Sequence, residues 1–459
     1  MRFARSSTLN GVLAATMLVA GCADAAPGAP ASPISPTTNS IGHSATPAAG
    51  DWPTYHRDNL RSGVAPGLPA VRSLSVAWRA RLDGAVYGQP LVVGDRVFAA
   101  TEHDTIYALD PGTGKVLWSA QVGEPVPRSD LPCGNIDPLG ITGTMVYDPA
   151  TNRVFALAET SGGKHTLVGV DADTGQVEVR AAAEPPRGDA IAHQQRGALT
   201  LLGDRVYIPY GGLLGDCGDY IGSVVSVATD GRGKARGYAV PTTREGGIWA
   251  TGGAVVDGGH LLYAVGNGES TGDYDGSDSV ISLSADLDRT AFFAPSTWAD
   301  DNARDLDLGS MSPALVGSYV YIDGKRGVGY VLRHDDLGGI GGEVARLTGC
   351  PAFGGGAVAG TTMYVPCADG TRAVSIDAAG TPRTRWHADV AAAGSPVVGG
   401  GAVWAVDYDA GTLYALDPGN GSVRARVHIG AAPHFASPTL SGSRAYVGTL
   451  DGVVAVGGG

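Results

Sequence analysis

Residues 88–123 read GQPLVVGDRVFAATEHDTIYALDPGTGKVLWSAQVG, which is four short β-rich runs, each ended by Gly, Asp or Pro-Gly turn residues. A second copy, GSPVVGGGAVWAVDYDAGTLYALDPGNGSVRARVHIG, begins at Gly394, and weaker copies lie between the two. The phrase YALDPG contains Asp110 in the first copy and Asp417 in the second. The separation between these two Asp residues corresponds to six periods of roughly 51 residues each. A period of about 40 to 50 residues with four strands is typical of a β-propeller, whose blades bury their faces against one another.

The composition supports this interpretation, because 71 Gly and 28 Pro among 459 residues suit short strands and tight turns better than helices. Counting the copies predicts an all-β fold, an eight-bladed β-propeller of four-stranded antiparallel blades. The eighth copy, from residue 436, contains three strands, and we expect SLSVAWRARL from Ser73 to supply the fourth. The N- and C-terminal strands then pair in one blade, which closes the ring and removes the exposed edges.

The first residues have the pattern of an export signal. Arg2 and Arg5 precede an apolar stretch, residues 9–20, that is too short to span a bilayer. The stretch runs into LVAGC, and small residues followed by Cys resemble the lipobox of bacterial lipoproteins. That resemblance implies that residues 1–21 are cleaved and that Cys22 carries the lipid. An ordinary secretory signal that happens to contain a Cys is the alternative interpretation.

Residues 22–50 are rich in Ala, Pro, Ser and Thr, the composition of a solvated tether, and we expect the propeller to occupy residues 51–459. The protein is then exported and lipid-anchored to the cell membrane, facing outside the cytoplasm. The formal net charge is −13 and the chain has only four Lys. Both features argue against a nucleic-acid partner, because phosphate contacts need clustered basic residues. We expect a monomer whose partner is a small molecule or an envelope protein.

Four Cys remain beyond residue 22, an even number outside the cytoplasm, where disulfides persist. Cys350 and Cys367 flank a predicted hairpin and so pair most easily, which leaves Cys133 with Cys217. Four free thiols are the alternative. A metal site on these Cys is disfavoured, because no two of them have CxxC spacing and no His lies at ligand spacing.

One run of the repeat carries a family resemblance. Residues 108–118, ALDPGTGKVLW, nearly match the run ALDAxTGKxxW of propellers built from pyrroloquinoline quinone (PQQ) repeats. The resemblance to this quinoprotein alcohol dehydrogenase-like family covers about residues 51–456. It implies one of two roles: some members are quinoprotein alcohol dehydrogenases that bind PQQ and Ca²⁺ on the propeller axis, and others are cofactor-free lipoproteins that bind proteins.

The same resemblance assigns candidate roles around the axis. GGIWATGG would place Trp249 on the innermost strand of the fourth blade as the platform that stacks on PQQ, and VGNGES would make Asn267 a Ca²⁺ ligand. DLDLGSMSPALV resembles the family's WDYD stretch, which makes Asp305 or Asp307 the candidate catalytic base. GKRGVGYVLRHD resembles KNGFFYVLDR and would place Lys325 beside the quinone oxygens. The plain alternatives are a Trp wedged between blades, an Asn-Gly turn and a solvated Lys.

The chain also departs from the family's pattern. The dehydrogenases stack the other face of PQQ on a disulfide between adjacent Cys, but Cys133 follows Pro132. Their Glu ligand to Ca²⁺ falls in the third blade, where Asp216 and Asp219 are the available acids and neither is in register. No CxxCH motif is present to attach haem.

Two polar clusters are predicted to face the axis as well. AHQQRG places His193 and Arg196 at the start of the third blade, and APHFASP places His434 in the eighth. We take these three and Arg326, the neighbour of Lys325, as candidate cofactor contacts. Hydrogen bonds between blades are the alternative role for such residues.

Two hypotheses about function therefore stand. The incomplete cofactor site favours a lipid-anchored module that binds a ligand or a protein in the cell envelope. The alternative is a PQQ- and Ca²⁺-dependent dehydrogenase that oxidises an alcohol or a sugar. Hydrolase and nucleotide-binding functions have no support, because GxSxG, P-loop and HExxH motifs are absent.

Overall fold

The structure is a computed structural model that describes residue 48 and residues 50–458. These residues form eight sheets whose four main strands are antiparallel, so the predicted eight-bladed β-propeller is confirmed. In seven blades the strands follow one another along the chain from the innermost strand outward. The buried faces of neighbouring blades carry the Val, Leu, Ile and Ala side chains that make the core.

The strands of the first four blades are Leu91–Val93, Arg96–Ala100, Thr105–Leu109 and Val116–Gln121 (blade 1); Val146–Asp148, Arg153–Thr160, Lys164–Asp171 and Val177–Ala182 (blade 2); Thr200–Leu202, Arg205–Gly212, Ser223–Ala228 and Arg236–Ala239 (blade 3); and Val255–Asp257, His260–Val265, Ser279–Leu283 and Arg289–Ala294 (blade 4). The strands of the last four are Ala314–Val316, Tyr319–Ile322, Val328–Arg333 and Ala345–Thr348 (blade 5); Ala357–Ala359, Thr362–Cys367, Gly370–Ile376 and Pro382–His387 (blade 6); Val397–Gly399, Ala402–Asp407, Thr412–Leu416 and Val423–His428 (blade 7); and Thr439–Ser441, Arg444–Thr449, Gly452–Gly458 and Leu74–Arg81 (blade 8).

Short elements fill the connections. Three short strands extend sheets: His193–Gln194 at blade 3, Gly339–Ile340 at blade 4 and Val64–Ala65 at blade 7. The helices of the described residues are the α-helix Trp298–Arg304 and the 3₁₀ turns Arg128–Asp130, Ala190–Ala192 and Leu308–Ser310. Within this part of the chain, no helix has the length and apolar composition needed to cross a bilayer.

Blade 8 closes the ring as the sequence predicts. Its outer strand, Leu74–Arg81, comes from the N-terminal side and pairs antiparallel with Gly452–Gly458 near the C-terminus. The partners run from Leu74 opposite Gly458 to Arg81 opposite Gly452. Because the start of the propeller completes the last blade, blade 8 has four strands like the other blades and the ring is closed.

The segment before the first blade, residues 51–65, crosses the propeller axis. It makes backbone hydrogen bonds to the innermost strands of blades 1, 4 and 7: Trp52 N–H to Val92 O (2.6 Å), Val256 N–H to Asn59 O (2.8 Å) and Val398 N–H to Gly63 O (2.7 Å). The buried Arg61 also donates to three carbonyl groups and two Thr hydroxyls. Contacts with blades on opposite sides of the ring fix this segment in the channel.

The two predicted disulfides are present in the structure. Cys133 pairs with Cys217 and Cys350 with Cys367, with Cα–Cα distances of 5.9 and 5.6 Å. The predicted lipid attachment at Cys22 lies outside the described residues, as do the signal peptide and almost all of the tether.

Candidate functional site

A cavity of about 250 Å³ lies on the axis and is lined by segments from blades 1, 3, 4, 5, 6 and 8. This volume is close to the lower end of ligand pockets, about 300 Å³. Most lining residues precede an innermost strand, where the chain turns into the channel.

The ion pair of Asp307 and Lys325 forms the charged wall of the cavity. Asp307 is 3% exposed, and its Oδ2 lies 2.6 Å from Lys325 Nζ, while Oδ1 accepts the backbone N–H of Asn267 at 2.6 Å. Burial raises the pKa of Asp307, and the charge of Lys325 opposes that shift. Burial alone would lower the pKa of Lys325, but Asp307 and Asp305 hold it above its ordinary value. The pair therefore places a carboxyl group and an ammonium group side by side inside the channel.

Trp249 and Asn267 border the same space. The prediction that Trp249 lies on the innermost strand of blade 4 is wrong. Trp249 lies on the segment that leads into this strand, six residues before Val255. Lys325 Nζ is 6.0 Å from the centroid of its ring. The side-chain amide of Asn267 donates to Glu245 Oε2 at 3.4 Å, and its Oδ1 has no hydrogen-bond partner among the described residues. An aromatic face and a free amide oxygen are thus available to a ligand.

The structure separates the predicted candidates. Asp305, whose side chain is 63% exposed, caps the helix Trp298–Arg304 in a left-handed conformation and pairs with Lys325 Nζ at 2.6 Å. It does not line the cavity, so Asp307 is the carboxylate that faces the axis. Arg326 pairs with Asp300 and Asp301 of the helix, also away from the cavity.

The third-blade candidates divide in the same way. Both ring nitrogens of the buried His193 meet backbone groups, Asp189 O at 2.8 Å and Ile221 O at 3.2 Å, and burial lowers its pKa. His193 therefore connects two loops by hydrogen bonds, which is a structural role and not a cofactor contact. It does not line the cavity. Asp216 lines the cavity and accepts the hydroxyl of Tyr220 at 2.6 Å. Asp219 is exposed and lies outside the lining.

Arg196 and His434, two of the candidate ligand contacts, both line the cavity and contact each other. Arg196 Nη2 donates to the backbone carbonyl of His434 at 2.8 Å. The His434 ring lies against Tyr408, with a centroid distance of 4.8 Å. Both residues border open space, so they are positioned to touch a ligand.

Sequence reasoning missed most of the aromatic lining, which comprises Tyr87, Tyr220, Phe353 and Phe435. A signal for three of them exists in the repeat. Tyr87, Phe353 and Phe435 each stand four residues before the first residue of an innermost strand, and Arg196 occupies the same position in blade 3. Aligning the repeats on their innermost strands would have found this ring.

The cavity fits a planar organic ligand better than it fits a metal ion alone. It offers the Trp249 ring, the Lys325 ammonium and the buried Asp307 carboxylate. The oxygens of Asp216, Glu245 and Asp307 do not all lie within 4.8 Å of one another, so the described acids form no complete cation cage. Ca²⁺ takes about six to eight oxygen ligands, so a cation here would need oxygens from a bound ligand beside those of Asn267 and Asp307.

A second grouping of metal-type ligands carries no cation site. Cys350, Cys367 and Asp369 are the one set of three such residues within 4.8 Å in the described part of the chain. The two sulfur atoms are joined in a disulfide and are not thiolate ligands.

Two curated dehydrogenases are similar in sequence to parts of this chain. The chain is 26% identical over 290 residues to a polyvinylalcohol dehydrogenase of Sphingopyxis sp., covering 56% of this chain and 41% of that protein. It is 30% identical over 173 residues to the dehydrogenase subunit of a quinone alcohol dehydrogenase of Gluconobacter oxydans, covering 36% and 21%. The chain thus spans less than half the length of these curated relatives.

Solved structures share the fold. The quinohemoprotein alcohol dehydrogenase of Comamonas testosteroni superimposes with a TM-score of 0.68 at 15% identity, over 90% of this chain and 81% of that one. BamB of Moraxella catarrhalis superimposes with a TM-score of 0.59 at 17% identity, over 84% and 100%.

The profile of the family described as outer membrane protein assembly factor BamB matches residues 70–211 and 297–427, more than half of the chain. Together with the eight blades, this match shows that the chain belongs to the family of PQQ-repeat, quinoprotein alcohol dehydrogenase-like β-propellers.

Proposed function

We propose that the protein is an exported quinoprotein dehydrogenase, which binds PQQ with Ca²⁺ in the axial cavity and oxidises an alcohol or sugar hydroxyl. One observation carries the proposal: the buried Asp307 pairs with Lys325 directly beside the Trp249 ring and the Asn267 amide. A carboxylate, a cation, an aromatic face and an amide oxygen in one pocket are four of the groups that such chemistry uses.

Different residues of the cavity would contact different parts of the bound cofactor. PQQ, when bound, supplies the acceptor for the two electrons removed from the substrate. Trp249 offers the ring on which a planar ligand stacks, and Lys325 supplies positive charge at its edge. Asn267 and Asp307 would offer oxygens to Ca²⁺, and its remaining oxygen ligands would have to come from the bound molecule.

Asp307 is the proton acceptor in this proposal. Both of its oxygens already accept one hydrogen bond, from Lys325 and from the Asn267 backbone, and each retains a lone pair for a substrate hydroxyl. Burial raises its pKa towards the range in which a general base works best, and the charge of Lys325 opposes that shift. The exposed Asp305 has no such role.

The test combines binding with turnover. Titration of the protein with PQQ and Ca²⁺ should quench tryptophan fluorescence, and dye reduction should follow with alcohols or sugars. Asp307→Asn should retain PQQ binding and lose at least about 100-fold in turnover, the usual contribution of a general base. Asp305→Asn is the matched control and should change turnover little. Absence of PQQ binding, or turnover that survives in Asp307→Asn, would refute the proposal.

A second candidate function is a binding module without turnover, in which the cavity holds a ligand or an envelope protein. Leu214, which is 65% exposed in the cavity lining, favours it because an exposed large apolar side chain at a pocket suits a protein contact. Intact fold and specific ligand binding without dye reduction in the wild-type protein would support this candidate.

The lipid anchor is a separate proposal. We infer that Cys22 is acylated after removal of residues 1–21, which holds the propeller at the membrane by the tether. Mass spectrometry of the N-terminal peptide should show the added lipid, and Cys22→Ser should release the protein from the membrane fraction. A mature N-terminus elsewhere would contradict the proposal.

A further inference from the structure

Arg196 has an unusual environment for a guanidinium in this cavity. Its guanidinium carbon lies 5.4 Å from the centroid of the Tyr87 ring and 5.9 Å from that of Phe435. Nη2 donates to the carbonyl of His434 at 2.8 Å. Two rings and one carbonyl hold the group in place, while its remaining N–H donors border the cavity.

The charge of Arg196 has no ion-pair partner among the described residues. Lys325, the other cation of the cavity, has carboxylate oxygens of Asp305 and Asp307 at 2.6 Å. No carboxylate of residues 48 and 50–458 lies within 4.0 Å of the Arg196 guanidinium. The acid that acts on it electrostatically is Glu102 of blade 1, whose Oε2 accepts hydrogen bonds from Gly140 N–H and Thr142 Oγ1 and whose Oε1 has no hydrogen-bond partner among the described residues. The cavity therefore contains one compensated and one uncompensated cation.

The two cations lie on different parts of the cavity wall. Arg196 is adjacent to Phe435, Lys325 is adjacent to Trp249, and the centroids of these two rings are 6.1 Å apart. A ligand that reaches from Trp249 past Phe435 would bring a second polar group to Arg196. Guanidinium and carboxylate match as planar, bidentate partners, and such charge-assisted bonds are about twice as strong as neutral ones.

We propose that Arg196 forms a carboxylate-binding subsite of the axial cavity, so that the ligand carries a carboxylate at the end remote from Lys325. The carboxylate has two possible sources, the quinone cofactor or an acidic substrate such as a hydroxy acid. The binding part of this proposal does not depend on turnover. The substrate part rests on the proposed dehydrogenase function.

The experiment uses two probe pairs that differ in charge. PQQ and its trimethyl ester test the cofactor as the source, and gluconate and glucitol test the substrate. Each probe is titrated by calorimetry into the wild-type protein, Arg196→Gln, Arg196→Lys and Arg385→Gln, a control at an exposed Arg on the outer strand of blade 6. Arg196→Gln should weaken binding of the charged probe by about 10- to 100-fold and leave its uncharged partner unchanged. Arg196→Lys should recover part of the loss, and Arg385→Gln should match the wild type.

The outcomes separate the two proposals. Gluconate binding that depends on Arg196, without any PQQ binding, supports the carboxylate subsite and removes the dehydrogenase. PQQ binding, gluconate binding and turnover that are all equal in Arg196→Gln and the wild type overturn the subsite and leave the dehydrogenase standing. Equal losses for charged and uncharged probes indicate a structural role for Arg196 and also overturn the subsite. Failure of both charged probes to bind the wild-type protein overturns it as well.

Discussion

The stability of the propeller should fall as the pH rises, because Asp104 is buried without a hydrogen-bond partner for its carboxyl oxygens. Asp104 is 0% exposed, and neither Oδ1 nor Oδ2 has a partner in the described residues. Burial, together with the charges of Glu102 and Glu124, raises the pKa of Asp104 from 3.8 to about 8. Between these values the folded protein holds a proton that the unfolded chain has released. The stabilisation is therefore complete below about pH 4 and is lost as the pH rises through about 8.

The magnitude follows from the size of the shift. Each unit of pKa corresponds to about 1.4 kcal/mol, so the three units between pH 5 and pH 8 amount to about 4 kcal/mol from this one group. Asp104→Asn keeps the shape of the side chain and removes its titration. We expect urea unfolding at pH 5, 7 and 9 to show a steep decline in the wild type and a shallower decline in Asp104→Asn.

Asp95→Asn, at an exposed position of the same blade, serves as the control and should follow the wild type. Parallel curves for Asp104→Asn and the wild type between pH 5 and pH 9 would refute the reasoning, since the buried carboxyl would then contribute no linkage.

Three further changes test how the fold is held together, and urea unfolding measures each. Arg61→Met should lower the free energy of unfolding by about 4 kcal/mol, because five buried acceptors lose their donor; a loss below 1 kcal/mol would contradict the role of the axial segment. Gly421→Ala should cost about 2 kcal/mol, since φ is +75° and a Cβ would lie 2.5 Å from a Trp ring. Gly442→Ala, at φ +62° in open space, is its control and should cost less. Replacing Cys350 and Cys367 by Ser should cost about 3 kcal/mol for a closed loop of this length, and an unchanged midpoint would contradict this.

The fold could be predicted from the sequence because its repeat carries redundant information. Each of the copies repeats the same turn chemistry, and the missing strand of the last copy has one candidate at the other end of the body, Leu74–Arg81. The disulfide pairing also followed, because Cys350 and Cys367 are close in the chain and one further pair remained.

The site was harder to predict because small backbone differences decide which side chains face the axis. Asp305 and Asp307 are two residues apart, yet the left-handed turn at Asp305 sends one side chain to the surface and leaves the other in the channel. Asp307 fits there because residues 266 and 324 are Gly, where a Cβ would lie 2.3 Å from its Oδ1 and 2.4 Å from its carbonyl oxygen. No sequence motif marks such close approaches.

His193 and Arg196 illustrate the same limit. They are three residues apart in AHQQRG, but His193 pairs with Gly212 in a short strand and turns its ring to backbone groups. Arg196 instead occupies the ring position four residues before the innermost strand of blade 3. The two residues have different roles because they lie at different distances from that strand. The residue at which the strand begins is set by the three-dimensional structure.

A crystal structure of the protein grown with PQQ and Ca²⁺ tests whether the axial cavity is the functional site. We expect density for PQQ on the face of Trp249, with Lys325 Nζ within hydrogen-bond distance of it and Asp307 free to meet a substrate hydroxyl. An axial cavity without PQQ at saturating concentration, or PQQ bound elsewhere on the propeller, would contradict the account.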